Sequence, residues 1–456
     1  MRIMLKNEPW VLLGRDIRFE YEQGVLEGRD VEKYRKLCEA IAEMDENTLR
    51  AMEPALATLG DEIAASPMKQ DFPYEESSDY DVIVTASAGK GKNPTLPAWK
   101  DRESLRHRIK GAWLGRMAGC LLGKPVEGYH RPELYAILKG SDNYPMKKYM
   151  RYHELDKETV ERLQLPETRF WADTLHDGIS PADDDTNYTV LGLKIIERFG
   201  RDFSSHDVMQ GWLSFLPYLA TCTAERVAYR NAAAGMLPPA TATYKNPYRE
   251  WIGAQIRADF YGYVNPGDPI TAASMAFRDA SISHIKNGIY GAMFVAAMLA
   301  AAAVTDSVDD ILDAGLSVIP CNCRLKRDVE LVRSWYREGL NGEAIIEKIH
   351  SCYNENSQCG WCYTNSNAMI VTMALLCGQG DFGKSICLSV QAAFDTDCNG
   401  ATVGSIVGMM VGDSGIAKEW TEPFGGRLYT GIQGYNLVDA EVLTEKTLSL
   451  IPGYTV

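Results

Sequence analysis

Apolar residues recur at intervals of three and four along most of the chain after Trp99. This spacing places them on one face of an α-helix, whereas strand-like alternation of apolar and polar residues is scarce. The pattern therefore predicts an all-α helical bundle. The clearest helical segments are 190–199, 288–304, 328–337, 366–377 and 400–411.

The residues before Trp99 show a different organisation. Two runs with helical apolar spacing, 31–44 and 49–63, predict amphipathic helices joined near Asp45. We therefore expect residues 1–66 to form an N-terminal helical hairpin. The polar stretch 67–98 is rich in Pro, Gly and Ser, which is typical of a linker or a wrapping arm. Residues 99–456 would then form the main, catalytic domain.

Charge and composition restrict the classes of partner and the cellular location that the protein can have. The net charge of −14 argues against a nucleic acid, because binding a phosphate backbone requires a basic face. The apolar run near the start, Trp10–Leu13, is too short for a signal peptide. The eleven cysteines then indicate reduced thiols and a cytoplasmic protein.

Two further features could suggest other classes of protein. Asn287–Thr305 holds nineteen residues without a charge, but Ala and Gly dominate it, so a buried bundle helix explains it better than a membrane span. Cys359 and Cys362 have the spacing of a redox motif, and Cys321 and Cys323 could complete a zinc set. The βαβ context of a redox motif is absent and Cys-x-Cys is unusual zinc spacing, so structural thiols are predicted.

The residues that point to chemistry are two acidic clusters far apart in the chain. Asp183-Asp184-Asp185-Thr186 and Asp395-Thr396-Asp397 each lead directly into an apolar helix. Capping of the helix N-terminus explains one aspartate in each cluster. The remaining carboxylates would repel one another, which calls for a cation, and hard oxygen ligands of this kind suit Mg²⁺ or Mn²⁺. Spacing alone leaves capping and metal binding equally open.

The helix after the second cluster carries glycines at every fourth position. Gly400, Gly404, Gly408 and Gly412 would form a flat ridge, against which another helix backbone can pack closely.

Four motifs in order resemble the ADP-ribosylglycohydrolase family. GAWLGRMAGCLLGKPVEG, from Gly111 to Gly128, is similar to the family's opening motif, and the two acidic clusters are similar to its Thr-Asp-Asp-Thr and Gly-Asp-Thr-Asp-Thr-Asn-Ala motifs. A central stretch with Arg257, Gly267, Asp268 and His284 follows the family's order. The resemblance covers about residues 105–412. It implies an all-α fold with a metal cleft at helix ends.

The resemblance also implies roles for individual residues. The implied metal centre holds Mg²⁺ or Mn²⁺, as a pair of ions, and the implied base is Glu127 or Asp395. The implied metal ligands are Asp184, Asp185, Thr186, Asp395 and Asp397, and the implied substrate-binding residues are His284, Arg257, Gly253 and Asn399. From the residues alone, His284 could equally be a core histidine.

Three positions depart from the family pattern. Cys398 stands where the family has a metal-binding Thr, and a thiol is a poor partner for a hard cation. Cys120 stands where many members carry Asp. Trp251 and Ile252 replace part of a glycine-rich loop that the family places near the ADP-ribose phosphates.

The resemblance implies hydrolysis of a ribosyl N-glycosidic bond, with ADP-ribose removed from a modified protein or small molecule. Two alternatives remain open at this stage. The substrate could be a smaller ribosyl compound, because the phosphate loop is altered. The chain could also be a non-catalytic ADP-ribose-binding protein, because Cys398 alters the metal site.

Overall fold

The computed structural model describes residue 10 and residues 13–87, 95–99, 101–170, 175, 178–357 and 360–454, without the side chains of 13–15. Cys359 of the predicted redox-like motif lies outside these ranges. Helices dominate the described chain, and the all-α prediction is confirmed. The strands found there form a single antiparallel pair, β1 (Arg427–Tyr429) with β2 (Leu437–Asp439).

Four α-helices lie in the described part of the N-terminal segment. They are α1 (Leu13–Leu26), α2 (Arg35–Ala42), α3 (Glu46–Ala51) and α4 (Glu53–Ala64). Asp45 caps α3 by accepting the backbone N–H of Asn47 and Thr48, at the junction that the sequence predicted. A small apolar core unites these helices, and it includes Ile17, Ile41, Leu56 and Ile63. The second predicted helix, 49–63, is divided between α3 and α4, which meet at Met52, and α1 is a further helix that apolar spacing did not predict.

The arm after this segment contains a helix, α5 (Tyr80–Ser87), which buries Ile83 in the main core. Just before α5, the arm is fixed to the main domain by polar contacts. Glu76 accepts a hydrogen bond from Arg324 at 2.6 Å, and Ser77 O accepts one from the hydroxyl of Tyr290 at 2.5 Å. This part of the chain therefore wraps around the main domain.

The main domain packs its helices around one large apolar core. Its first half contains α6 (Arg102–Gly123), α7 (Arg131–Gly140), α8 (Lys157–Leu163), α9 (Asp184–Phe199), α10 (Ser205–Phe215), α11 (Thr223–Ala233), α12 (Ala240–Thr243), α13 (Gly253–Arg257), α14 (Asp259–Tyr263) and α15 (Pro269–Ala280). Its second half contains α16 (Lys286–Ala302), α17 (Val308–Ser317), α18 (Arg324–Arg337), α19 (Gly342–Cys352), α20 (Thr364–Gly378), α21 (Phe382–Gln391), α22 (Thr396–Val411), α23 (Lys418–Thr421) and α24 (Ala440–Ser449).

The uncharged segment that begins at Asn287 forms α16 in the middle of the bundle. Every residue of α16 after Lys286 is buried among neighbouring helices. Alanine has a small side chain and glycine has none, so neighbouring helices can approach α16 closely. Across the described ranges, no helix combines the length and apolarity needed to cross a membrane.

Two rows of glycines join α6 to α22. The glycine ridge predicted on α22 is confirmed at Gly400, Gly404 and Gly408, whereas Gly412 follows the end of the helix with a φ of 71°; the partner of the ridge is a matching row on α6. Gly111, Gly115 and Gly119 face Gly408, Gly404 and Gly400, so that backbone packs directly on backbone. Because the helices run in opposite directions, the C-terminal end of α6 lies beside the N-terminal end of α22.

Candidate metal centre

The glycine ridge brings the opening motif to the second acidic cluster. The last glycine of α6, Gly123, packs on the backbone of Thr396 and Asp397, and its carbonyl accepts the Thr396 hydroxyl at 2.9 Å. A 3-10 turn, Lys124–Val126, follows immediately and leads to Glu127. Lys124 and Glu127 are therefore placed beside Asp397.

The first acidic cluster lies at the start of α9. Asp183 caps this helix by accepting the backbone N–H of Asp185 at 3.0 Å, so one member of the cluster has the predicted capping role. The hydroxyl of Thr186 donates to the carbonyl of Asp183 at 3.2 Å. Capping leaves Asp184 and Asp185 for another purpose.

Arg116 of α6 fixes Asp185 from inside the bundle. Its Nε donates to the carbonyl of Asp185 at 2.8 Å, and Nη2 donates to Oδ1 at 3.1 Å. The same guanidinium donates to Asp259 Oδ2 at 2.8 Å and to the carbonyl of Ile256. All three ionic side chains are buried. A planar arginine suits this task because it can contact several oxygens in fixed directions.

The two acidic clusters meet at Asp185. Ligand atoms of Asp185, Asp397 and Cys398 all lie within 4.8 Å of one another, and the same is true of Cys120, Asp183 and Asp185. Clusters separated by about half the chain therefore form one buried group. Both cysteines that depart from the family pattern, Cys120 and Cys398, border this group.

Three carboxylate oxygens of the two acidic clusters have no hydrogen-bond partner. They are Asp185 Oδ2, Asp395 Oδ1 and Asp397 Oδ1, and all are buried. A buried carboxylate oxygen without a partner is costly even where the other oxygen of the same group is paired, as in Asp185 with Arg116 and Asp397 with Lys124. Burial and neighbouring carboxylates accordingly raise the pKa of Asp184, Asp185 and Asp395 well above the ordinary value. Oxygen ligands in this arrangement fit a divalent metal ion.

Lys124 places a positive charge among the carboxylates. Its Nζ lies 2.7 Å from Glu127 Oε2, 2.7 Å from Asp183 Oδ2 and 2.9 Å from Asp397 Oδ2. Burial opposes the charged form, but the surrounding carboxylates outweigh it and raise the pKa of Lys124. The role of Lys124 was not predicted from the sequence, although this residue stands inside the opening motif three positions before Glu127.

Glu127 is more open to solvent than Asp183 and Asp397, the other two carboxylates beside Lys124. Its side chain is 34 % exposed, whereas those of Asp183 and Asp397 are 3 % and 1 % exposed. Burial and the charge of Asp397 raise the pKa of Glu127 to about 7, against the opposing charge of Lys124. Arg169 fixes the turn by donating to the carbonyls of Pro125 and Glu127.

Asp395 is positioned by residues that the sequence analysis did not single out for the site. Asn367 of α20 accepts the backbone N–H of Asp395 at 3.2 Å and the side-chain amide of Asn399 at 2.7 Å. The thiol of Cys362 donates to Asp395 Oδ2 at 3.2 Å. The described cysteines are all free thiols, and Cys362 borders the acidic centre instead of joining Cys321 and Cys323 in a metal cluster among the described residues.

The other residues implied to bind substrate lie in a buried network. Arg257 donates to Glu225 at 2.6 Å, to Ser283 at 2.7 Å and to Asp279. The carboxylate of Glu225 packs on Gly253, where a Cβ would overlap it. His284 contacts Ser283 at 2.8 Å, and burial lowers its pKa well below the ordinary value, so its ring is neutral. The contacts of Arg257 and Gly253 are with the protein itself, and their substrate-binding roles stay predictions.

The altered phosphate loop is tied to the rest of the protein. The backbone N–H of Ile252 donates to the carbonyl of Cys362 at 2.8 Å, and that of Trp251 donates to Tyr248 at 2.9 Å. The Trp251 ring packs edge-on against Phe19 of α1, with ring centroids 5.4 Å apart. Two backbone donors that a glycine-rich loop could offer to a diphosphate are thus used internally.

These features define an all-α protein with a carboxylate-lined candidate metal centre at the ends of its helices. A model of the ADP-ribosylglycohydrolase family matches residues 101–448. Because this match covers more than half of the chain, the protein belongs to that family, whose members hydrolyse glycosidic bonds.

The search of solved structures gives a more distant likeness. A structure described as an ADP-ribosylglycohydrolase-related protein complex is 19% identical and has a TM-score of 0.44. The alignment covers 77% of this chain and 100% of that one. No curated protein matches the chain.

Proposed function

We propose that the protein is a metal-dependent hydrolase that cleaves a ribosyl N-glycosidic bond and releases ADP-ribose from a modified protein or small molecule. Membership of the ADP-ribosylglycohydrolase family supports the class of reaction. The observation that carries the proposal is the set of three buried, unpartnered carboxylate oxygens where the acidic clusters meet.

The metal would be Mg²⁺ or Mn²⁺, because the unpartnered ligands are hard oxygens. The residues that would hold it are Asp184, Asp185, Thr186, Asp395 and Asp397. When bound, such an ion makes a coordinated water more acidic and orients hydroxyl groups of the sugar. The resemblance implies two ions.

Glu127 is the first candidate for the general base. Its partial exposure lets it meet a water from solvent, and a pKa of about 7 suits a group that accepts a proton near neutral pH. Asp395 is the second candidate, with Oδ1 free while Oδ2 accepts the thiol of Cys362. The neighbouring carboxylates would stabilise positive charge that develops on the ribose ring as the glycosidic bond breaks.

The remaining implied residues would act on the substrate. Asn399 has a buried side-chain oxygen without a partner, which could accept a ribose hydroxyl. Arg257, Gly253 and His284, which lie in or beside the network around Glu225, would contribute to substrate binding.

A smaller ribosyl compound is the second candidate substrate. The observation that favours it is the internal use of the Trp251 and Ile252 N–H groups, which removes donors for a diphosphate. If the second candidate is right, free ADP-ribose inhibits only weakly.

Hydrolysis of a panel of ADP-ribosylated and simpler ribosylated compounds tests the proposal. We expect turnover with added Mg²⁺ or Mn²⁺, loss after chelation, and loss in Asp397→Asn. Asp61→Asn is the matched control, because this exposed aspartate of α4 lies outside the centre. If no compound is hydrolysed while ADP-ribose still binds, the proposed hydrolase activity is wrong and the protein is a non-catalytic ADP-ribose-binding protein.

Calorimetry with ADP-ribose and with ribose separates the two substrates. Tight binding that requires the diphosphate supports ADP-ribose. Weak ADP-ribose binding, combined with turnover of a compound without a diphosphate, supports the smaller substrate.

A further inference from the structure

We propose that the ammonium group of Lys124 takes one of the two cation positions in the acidic centre, so that the protein binds one divalent ion per chain instead of two. This inference rests on the metal centre of the proposed function and replaces the paired ions that the family resemblance implies. It concerns a residue of this chain, and it can be tested without substrate.

The ammonium group of Lys124 is surrounded by carboxylates. An ammonium has three N–H donors. Three carboxylates lie within 2.9 Å of Nζ, from Glu127 after the 3-10 turn, from Asp183 before α9 and from Asp397 in α22. The three carboxylates match the three donors in number, and they come from three different parts of the fold. This is the convergent oxygen environment in which a divalent ion would otherwise be held.

The backbone around Lys124 is rigid and holds the residue at this position. The backbone N–H of Lys124 donates to the carbonyl of Cys120, so the residue continues directly from α6. Gly123, one residue earlier, packs on the backbone of Thr396 and Asp397 with no room for a Cβ. The main chain at Lys124 is consequently fixed relative to Asp397, and its side chain is only 19 % exposed.

A second cation position, separate from that of the ammonium group, remains in the acidic centre. Asp397 divides its two oxygens, with Oδ2 on Lys124 and Oδ1 buried without a partner. Asp185 Oδ2 and Asp395 Oδ1 are likewise unpartnered. Ligand atoms of Asp185, Asp397 and Cys398 lie within 4.8 Å of one another and define this remaining position, and Asp395 interacts with Asp397 beside it. Asp397 would then bridge the ammonium and a single metal ion.

Charge makes the two positions unequal. Lys124 is a compact point charge that cannot leave without breaking three short ion pairs. A divalent ion entering the same position would meet direct repulsion, while one in the remaining position is separated from the ammonium by Asp397. Filling both positions with metal therefore requires removal of the lysine charge.

The test measures metal stoichiometry in the full chain after chelation and dialysis. Titration with MnCl₂, followed by calorimetry and by electron paramagnetic resonance, counts the ions and reports whether two of them are coupled. We expect one uncoupled Mn²⁺ in the native protein. In Lys124→Met, which keeps most of the length of the side chain and removes its charge, we expect a second ion and a spin-coupled pair.

Lys384→Met is the matched control, because Lys384 is exposed on α21, and it should bind one ion like the native protein. Two ions in the native protein would overturn the inference, as would a single ion in a folded Lys124→Met. If Lys124→Met does not fold, the native spectrum decides alone, since a coupled pair contradicts the proposal. Hydrolysis is measured separately, so one ion without turnover counts against the proposed function and leaves the stoichiometry intact.

Discussion

Gly115 and Gly404 face each other across the interface of α6 and α22, and a Cβ on either residue would overlap the carbonyl group of the other. The contact recurs one turn away on each side, at Gly119 with Gly400 and at Gly111 with Gly408. The two halves of the acidic centre lie at one end of this interface. The ridge therefore sets the distance between Lys124 and Asp397.

Gly404→Ala should separate the two helices. The new methyl group meets backbone atoms that cannot rotate away, and overpacking of this kind costs about 1–3 kcal/mol. We expect a lower free energy of unfolding and weaker Mn²⁺ binding, measured by chemical denaturation and calorimetry.

Gly60→Ala is the control for that substitution. Gly60 is also helical, in α4, but a Cβ there would meet only Ile17 at 3.8 Å. Replacing a helical glycine by alanine without strain stabilises by about 0.5–1 kcal/mol. Equal effects of the two substitutions would contradict the ridge interpretation.

The glycine ridge also shows how far the sequence could predict this fold. The four-residue spacing on α22 predicted a close helix contact, but the partner could not be identified from α22 alone. The matching row on α6 was visible in the opening motif. Pairing the two rows required the tertiary structure, because any helix with small residues could have met the ridge.

Helix α1 was missed for a physical reason. Its buried face includes Asp16, Glu20 and Gln23, which recur at helical spacing but are polar. They are buried because they meet polar partners, including Tyr248, Arg249 and Glu250. A search for apolar periodicity cannot find a helix whose buried face is charged.

The candidate metal centre, like the glycine ridge, could be predicted only in part from the sequence. Acidic residues at helix starts indicated a cation site, because chemistry and local position are both written in the sequence. Lys124 and Arg116 were not identified, because the destination of a long side chain depends on elements that converge only in the fold. Burial of Arg257 in its own ion-pair network was hidden for the same reason.

Arg249→Met should loosen the N-terminal segment. Arg249 lies 2.8 Å from Glu20 and 2.7 Å from Glu27, and all three side chains are buried. Removing one partner of a buried pair leaves uncompensated charge and costs about 3–5 kcal/mol. We expect faster proteolysis within residues 13–64 and a lower unfolding temperature.

The surface pair of Arg50 and Glu46 provides the comparison for Arg249. The side chain of Glu46 is 42 % exposed, so Arg50→Met should change the free energy of unfolding by less than about 1 kcal/mol. If Arg249→Met leaves proteolysis of the segment unchanged, the ion pairs do not hold it in place.

Cys398→Ser should strengthen metal binding. Cys398 lies with Asp185 and Asp397 at the open cation position, and a hydroxyl is a better ligand for Mg²⁺ than a thiol. Serine replaces only the sulfur, so little repacking is needed. We expect tighter Mg²⁺ binding by calorimetry, while Cys398→Ala, which adds no oxygen, should not tighten it. Equal affinities in both variants would show that residue 398 does not contact the ion.

Glu225 should make the stability of the protein depend on pH. Burial raises the pKa of Glu225 from 4.5 to about 7, against the opposing positive charge of Arg257. Between these values the folded state holds a proton that the unfolded state releases, so the free energy of unfolding falls as the pH rises. A shift of this size corresponds to a loss of about 3 kcal/mol in the free energy of unfolding between these two pH values.

Denaturation of the native protein and of Glu225→Gln at pH 5, 6, 7 and 8 isolates the contribution of Glu225, because other groups titrate equally in both proteins. The free energy of unfolding of the native protein should fall relative to that of the variant up to about pH 7, and above this pH the two curves should be parallel. Parallel curves over the whole range would mean that Glu225 is already ionised at pH 5 and forms a fully charged pair with Arg257.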